Sequence, residues 1–261
     1  MLSHCVSSVK AGILDAGSPD ESSYDLVVED GLAIISMVGP MMKADSKFGG
    51  VSTIRTRKLV REANARSDVS QILMVVESGG GSVSGTKELA DDVRNSLKKV
   101  TAYINDIGAS AAYWVASQAS QIITNEMAEV GSIGVVAVIE DTSGMYEREG
   151  VKVHVISTGS MKGAFADGAP VTDEMLEDLQ DKVDAINTVF KSTILSGRSI
   201  DSETLDKIAD GRTYTAKQAL DFGLIDSVQR LEDVVANLKQ SIIIESRNQA
   251  VTARLGQSAK R

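Results

Sequence analysis

Ser110 is the residue of this sequence with the clearest chemical potential, because its neighbours are too small to shield its hydroxyl. It lies within residues 106–114, which read DIGASAAYW. An apolar, strand-like run (residues 100–104) precedes it, and a helix-like run (residues 113–116) follows. A strand–turn–helix junction can hold a hydroxyl at a helix N-terminus, where free N–H groups favour a developing oxyanion. The pattern is compatible with a nucleophilic serine, but taken alone it favours a small residue that lets a helix pack closely on a sheet.

A nucleophilic serine needs a base, and the chain has only two histidines, His4 and His154. His4 lies in a polar N-terminal segment outside the expected core, and His154 lies in an alternating, strand-like run. A lysine is the natural alternative, because serine–lysine pairs are a known variant of the triad. Lys162 lies among small, uncharged residues in the loop 158–164, which is compatible with burial and loss of its charge. The ordinary alternative is a solvated loop lysine.

A glycine-rich turn follows a continuous apolar run, residues 72–76. Residues 77–83 read ESGGGSV, and consecutive glycines let the backbone approach a ligand and point N–H groups at it. The spacing fits neither a P-loop nor a dinucleotide-binding fingerprint. The turn is therefore either an oxyanion hole or an ordinary strand-to-helix connection.

Composition limits the class of protein. The chain has 261 residues, is 43% hydrophobic and 4% aromatic, and carries a formal net charge of −9. The acidic balance argues against a nucleic-acid partner. The single cysteine, Cys5, excludes an internal disulfide framework and a cysteine-rich zinc site, and nothing indicates a cofactor. No signal peptide or apolar run of membrane-spanning length is evident, so we expect a soluble cytoplasmic protein without a membrane anchor.

The hydrophobic pattern predicts strands that alternate with helices and then a helical C-terminal part. We expect a polar N-terminal arm (1–24), one α/β domain with a mostly parallel sheet (25–240) and a polar, mobile tail (241–261). The predicted strands are 26–28, 32–38, 72–76, 101–104, 122–124, 133–139 and 151–157. The predicted helices are 53–65, 84–98, 173–195, 202–209, 216–222 and 231–244, with Thr172 as an N-cap.

Four separated stretches resemble the signal peptide peptidase A (protease IV-like) serine peptidases, a family that includes phage head-maturation proteases. The family's Ser-Pro-Gly-Gly-x-Val turn matches residues 78–83, and its Ala-Ser-Gly-Gly-Tyr nucleophile turn matches residues 109–113. Its Gly-Ser-Ile-Gly and Asp-Gly-Arg-x-Tyr segments are intact at residues 131–134 and 210–214. The resemblance extends over roughly residues 32 to 230.

The resemblance implies a Clp/crotonase-like ββα superhelix and a serine endopeptidase with a Ser–Lys dyad. Ser110 takes the nucleophile position, Lys162 the general-base position, and Ser132 the position of a serine that orients the lysine amine. The backbone N–H groups of Gly80 or Gly81, together with that of Ala111, take the oxyanion-hole position.

Two departures from the family pattern affect substrate preference and rate. Gly79 replaces the proline of the oxyanion turn and loosens a loop that should be preorganised. Ala111 and Ala112 replace the two glycines after the nucleophile and narrow the space above Ser110.

The resemblance also implies partners: a peptide or protein substrate, and further copies of the chain in a ring, in which Ser and Lys can come from neighbouring subunits. A phage or prophage capsid maturation protease is the favoured role, with scaffold or capsid proteins as partners, in the host cytoplasm or virion precursor. A cytosolic housekeeping peptidase is the runner-up. A crotonase-like acyl-CoA enzyme and an inactive scaffold are the alternatives from other classes.

Overall fold

The computed structural model describes residues 26–47 and 49–258. The predicted arm, with His4 and Cys5, lies outside the described residues. Two compact units emerge: unit 1 (residues 26–133 and 191–258) and unit 2 (Gly134–Phe190).

Unit 1 is built on a mostly parallel sheet. Its strands are β1 (Val27–Glu29), β2 (Leu32–Val38), β5 (Gln71–Ser78), β6 (Lys99–Ala109), β7 (Gln121–Thr124), β8 (Glu129–Gly131), β9 (Thr213–Thr215) and β10 (Ser227–Val228). The strand order along the main path is β1-β2-β5-β6-β7-β10. Off this path, β8 pairs with both β6 and β9. The pairs β1–β2 and β8–β9 are antiparallel, and the others are parallel. Two short strands, β3 (Met41–Met42) and β4 (Val51–Ser52), form a separate parallel pair.

Three helices follow strands β4, β5 and β6 in the chain: α1 (Thr53–Ala65), α2 (Thr86–Arg94) and α3 (Ala111–Ala116), respectively. Further along are α6 (Ser202–Ile208), α7 (Ala216–Asp221) and α8 (Leu231–Ser258). Helix α8 packs its apolar residues, including Val235 and Leu238, against buried side chains of the central strands such as Leu73 and Tyr103. A strand packed on both faces is apolar throughout, which explains the uninterrupted run at 72–76.

The predicted hairpin is confirmed, and its turn has a local cause. Asp30 and Gly31 both have positive φ, 52° and 83°, as a two-residue type I′ turn requires. The ammonium of Lys239, only 7% exposed, lies 2.9 Å from an Asp30 carboxylate oxygen and ties α8 to this turn.

Unit 2 contains α4 (Ser143–Arg148) and the first part of α5 (Asp173–Gly197), with Thr172 as its N-terminal hydrogen-bonding residue, as predicted. The side chains of Thr142 and Tyr146 donate to the two oxygens of Asp167, each at 2.6 Å. These bonds hold the pKa of Asp167 below its usual value.

Four predictions differ from the structure. Residues 133–139 and 151–157 belong to no strand, because no ladder partner lies beside them within the described ranges. The helix predicted at 84–98 is only Thr86–Arg94. Helix α8 continues through 241–258, so the predicted tail boundary falls within a helix. That residues 25–240 form one domain stays a prediction.

Candidate active site

Ser110 lies in a strained backbone turn between the end of β6 and the start of α3. Its φ and ψ are 52° and −124°, a conformation that costs a non-glycine residue about 1–3 kcal/mol. Two hydrogen bonds hold this turn: the Ser110 N–H donates to the Gly131 carbonyl at 2.8 Å, and the Trp114 N–H donates to the Ser110 carbonyl at 2.9 Å. The side chain is half-buried and does not cap the helix. Its hydroxyl is therefore left available for chemistry.

The glycine turn lies directly against the Ser110 turn. A Cβ atom added to Gly80 would lie 2.8 Å from three atoms: the Ala109 carbonyl oxygen, the Ala111 nitrogen and the Ser110 Cβ. The φ of Gly80 is +95°, which side-chain-bearing residues rarely adopt. Position 80 therefore has to be glycine for the two loops to meet.

The backbone of the glycine turn distinguishes Gly80 from Gly81. The Gly80 N–H donates to the Ser78 hydroxyl oxygen at 3.1 Å, and the Gly80 carbonyl accepts the Met41 N–H at 2.8 Å. Within the ranges that the structure describes, neither the Gly81 N–H nor the Ala111 N–H donates to a protein acceptor. Because a trans peptide points its C=O and N–H in opposite directions, the bond from Met41 directs the Gly81 N–H away from Met41.

Ser132 is joined to the Ser110 turn through its own backbone. It has a φ of 50° and follows Gly131, whose carbonyl accepts the Ser110 N–H. Its N–H donates to the Arg212 carbonyl at 2.8 Å, and the Gly211 N–H donates to the Ile133 carbonyl at 3.1 Å. The Asp-Gly-Arg-x-Tyr segment, residues 210–214, therefore fixes the loop that carries Ser132.

A second layer supports α3 from its buried side. The Tyr113 hydroxyl donates to the Leu224 carbonyl at 2.9 Å, and burial raises the pKa of this phenol. Asp226 accepts the Ile122 N–H at 2.6 Å and pairs with Arg198 at 2.7 Å. Burial works to raise the pKa of Asp226, but these hydrogen bonds and the Arg198 charge outweigh it and lower the pKa.

Sequence reasoning did not find the supporting roles of Ser78, Met41 and Arg198. Ser78 was visible only as a member of the glycine motif. Met41 contributes through its backbone, which leaves no signal in a single sequence. Arg198 pairs with an aspartate 28 residues away, and many such pairs could be drawn from composition alone.

The structure brings together Ser110, Ala111, Gly80, Gly81 and Ser132 in unit 1, whereas Lys162 belongs to unit 2. Lys162 lies in a turn in which its N–H donates to the Gly159 carbonyl at 3.1 Å. Its side chain is exposed in the single chain, and its role as a general base stays a prediction. His154 is also exposed and lies outside any strand.

No helix in the described ranges combines the length and apolar character needed to cross a membrane.

The family model described as "Peptidase family S49" matches residues 92–244, which is more than half of the chain and includes Ser110, Ser132 and Lys162. The chain belongs to peptidase family S49. This S49 chain is 29% identical over 240 residues to the capsid assembly protease C of Escherichia phage lambda, covering 87% of the chain and 53% of that protein. It is 27% identical over 208 residues to protease 4 of Salmonella typhi, covering 78% of the chain and 34% of the relative.

A third relative, from Methanocaldococcus jannaschii and named as a candidate protease, is 32% identical over 203 residues, covering 77% of the chain and 63% of the relative. The S49 chain thus spans from about a third to nearly two thirds of the length of these three relatives. The resemblance inferred from the four motifs is confirmed at the level of the family.

Proposed function

We propose that the protein is a serine endopeptidase with Ser110 as nucleophile, Lys162 as general base and Ser132 as the residue that orients the lysine amine. The observation that carries the proposal is the strained Ser110 turn. Its hydroxyl makes no capping hydrogen bond to the helix, and the turn lies against a glycine turn that tolerates no side chain at position 80. A backbone conformation this unfavourable persists only where surrounding structure enforces it, and such positions cluster at active sites.

In the first step, the Ser110 Oγ attacks the peptide carbonyl carbon while its proton passes to the neutral Lys162 amine. The C=O bond becomes a C–O⁻ single bond, and the N–H groups of Gly81 and Ala111 stabilise this oxyanion. Collapse breaks the C–N bond, and the lysine ammonium protonates the leaving amine. Water then attacks the acyl-enzyme with the lysine again as base, releasing the acid and restoring Ser110.

Unit 2 supports the proposal that copies of the chain associate in a ring. The two segments that the sequence predicts as strands leave Val136, Val138 and Ile156 at 82%, 81% and 97% exposure. Such segments can form a ladder only by pairing with another segment, and exposed apolar side chains are stabilised by burial. A second copy of the chain would supply both. It would also remove water from Lys162, which a lysine base requires.

The similarity to a phage lambda capsid assembly protease supports a capsid maturation role, with scaffold or capsid proteins as substrates in the host cytoplasm or virion precursor. The similarity to protease 4 supports the housekeeping alternative. Within the fold, the parallel β5–β6 pair and the short β3–β4 pair beside it support the Clp/crotonase-like superhelix.

The test is labelling with a fluorescent fluorophosphonate. Attack by the Ser110 Oγ forms an O–P bond, fluoride leaves, and the hydroxyl proton passes to Lys162. We expect the wild-type chain to be labelled, and Ser110→Ala and Lys162→Ala to lose labelling by at least about 10³-fold. The matched controls are Ser84→Ala in the glycine-turn region and Lys152→Ala in unit 2, both at exposed positions, which should label normally. Absence of labelling in a folded, assembled wild-type preparation would overturn the proposal.

Mixing the two inactive variants tests whether the dyad forms between subunits. If Ser and Lys come from adjacent copies, random 1:1 assembly of Ser110→Ala with Lys162→Ala restores about a quarter of the sites. If both come from one chain, the mixture stays inactive and the intersubunit arrangement is wrong.

A further inference from the structure

Ser78 is a buried polar residue beside the catalytic loops to which the reaction itself assigns no part. It is the last residue of β5, is 1% exposed, and precedes the three consecutive glycines. Its hydroxyl donates to the Gly39 carbonyl at 2.6 Å and accepts the Gly80 N–H at 3.1 Å. One side chain therefore links the β2 end, the β5 end and the glycine turn.

These bonds fix the two peptide groups that flank the Gly80 Cα. Ser78 holds the peptide that contributes the Gly80 N–H, and the Met41 N–H holds the peptide that contributes the Gly80 carbonyl. The second peptide also carries the Gly81 N–H, whose direction is set once both flanking planes are set. Glycine has an unusually wide range of backbone conformations, so this geometry needs external restraint.

The restraint matters more here because position 79 is glycine. Gly79 has no left-handed φ, and a Cβ added there would meet only the Ile107 side chain, at 3.9 Å. A Cβ is therefore tolerated at position 79, where the turn of the peptidase family has a proline that would stiffen it covalently. The buried Ser78 hydroxyl supplies by hydrogen bonding the rigidity that a proline would supply through its ring.

We propose that Ser78 is a positioning residue, which orients the Gly81 N–H for the oxyanion by fixing the Gly80 peptide. The proposal rests on the peptidase function proposed above. Since the effect acts on transition-state charge rather than on ground-state binding, loss of Ser78 should lower the maximal reaction rate and leave probe binding unchanged.

The experiment compares Ser78→Ala with Ser82→Ala in the full chain. Ser82 is a matched control, because its hydroxyl accepts the N–H two residues on, from Ser84, at 3.2 Å, but it does so in an exposed turn. Labelling rates are measured over a series of fluorophosphonate concentrations that reaches saturation. Ser78→Ala should lower the maximal labelling rate by about ten- to a hundredfold. The half-saturating concentration should stay within about twofold, and Ser82→Ala should match the wild type.

A rescue variant separates positioning from general stability. Ser78→Ala/Gly79→Pro should regain a large part of the labelling rate, because proline restricts the turn independently of the hydroxyl. If Ser78→Ala does not fold, Ser78→Cys fills the same site with a weaker hydrogen-bonding group and should label at an intermediate rate.

Three results overturn the inference while leaving the peptidase proposal intact: wild-type labelling by Ser78→Ala, an increase in half-saturation alone, or wild-type labelling by a folded Ser78→Cys. Failure of the wild-type chain itself to label would instead overturn the proposed function.

Discussion

Residues 76–82 of unit 1 and residues 134–157 of unit 2 both combine glycines with β-branched side chains, yet their surroundings differ. In unit 1, the Gly80 and Gly81 turn is held by Met41 and Ser78 and lies against Ser110. In unit 2, Val136, Val138 and Ile156 are more than four-fifths exposed and belong to no strand. The glycine turn is thus held by contacts within a single chain. The second region contains β-branched segments typical of strands but lacks the neighbouring segments that would bury them.

The two residues of the proposed dyad, Ser110 and Lys162, depend on different stabilising contacts. The conformation of Ser110 is enforced by bonds within unit 1, so it should persist in an isolated chain. The environment of Lys162 is open in the single chain, so its role as a base should depend on association.

The largest effect should come from disrupting the close contact between the glycine turn and the Ser110 turn at Gly80. In Gly80→Ala, the new methyl group would lie 2.8 Å from the Ser110 turn and would require a φ near +95°. We expect fluorophosphonate labelling to fall by at least about 100-fold, and the free energy of unfolding to fall by about 1–3 kcal/mol. The control is Gly79→Ala, whose Cβ would meet only the Ile107 side chain, at an ordinary van der Waals distance of 3.9 Å. Near-wild-type labelling by Gly80→Ala would show that the close approach is unnecessary.

A smaller effect should come from placing a negative charge among the exposed apolar residues of unit 2. Ile156→Asp should weaken self-association by about tenfold or more, because burial of an unpaired carboxylate opposes an apolar interface. Sedimentation velocity over a concentration series measures this, and circular dichroism should show an unchanged fold. Leu97→Asp is the matched control, since Leu97 is 85% exposed in unit 1 and should not affect assembly. Equal association of both variants would exclude the unit 2 surface as the contact.

The smallest effect concerns the second layer behind Ser110. The pKa of Asp226 is lowered in the folded chain, so its ionised form contributes stability above its unfolded pKa of about 3.9. That contribution is lost as the pH falls through the lower, folded pKa. Asp226→Asn should therefore cost about 1 kcal/mol of unfolding free energy near pH 7. The difference from wild type should shrink below about pH 4 in urea titrations. A difference that is constant across this range would show that the charge of Asp226 contributes nothing.

Much of the fold could be predicted from local pattern. The hairpin at Asp30–Gly31, the apolar run of β5 and helix α1 all appear where periodicity and turn residues place them. The proposed site residues Ser110, Gly80 and Ser132 could likewise be chosen from the resemblance of their motifs to the peptidase family, and the structure brings them together in unit 1. The strands at 133–139 and 151–157 could not be judged in this way, because β-branched composition reports a preference for extended backbone and not the presence of a pairing edge.

The sequence by itself determined the chemical groups available, the alternation of strands with helices and the presence of three consecutive glycines, whereas the structure decided that position 80 tolerates only glycine. Tertiary structure decided which N–H groups remain free, because Ser78 and Met41 occupy the two polar groups of Gly80 and leave that of Gly81. It also decided that Lys162 is exposed in a single chain. Both outcomes depend on contacts between residues far apart in sequence, and hydrogen-bond partners and burial are properties of those contacts rather than of local residue type.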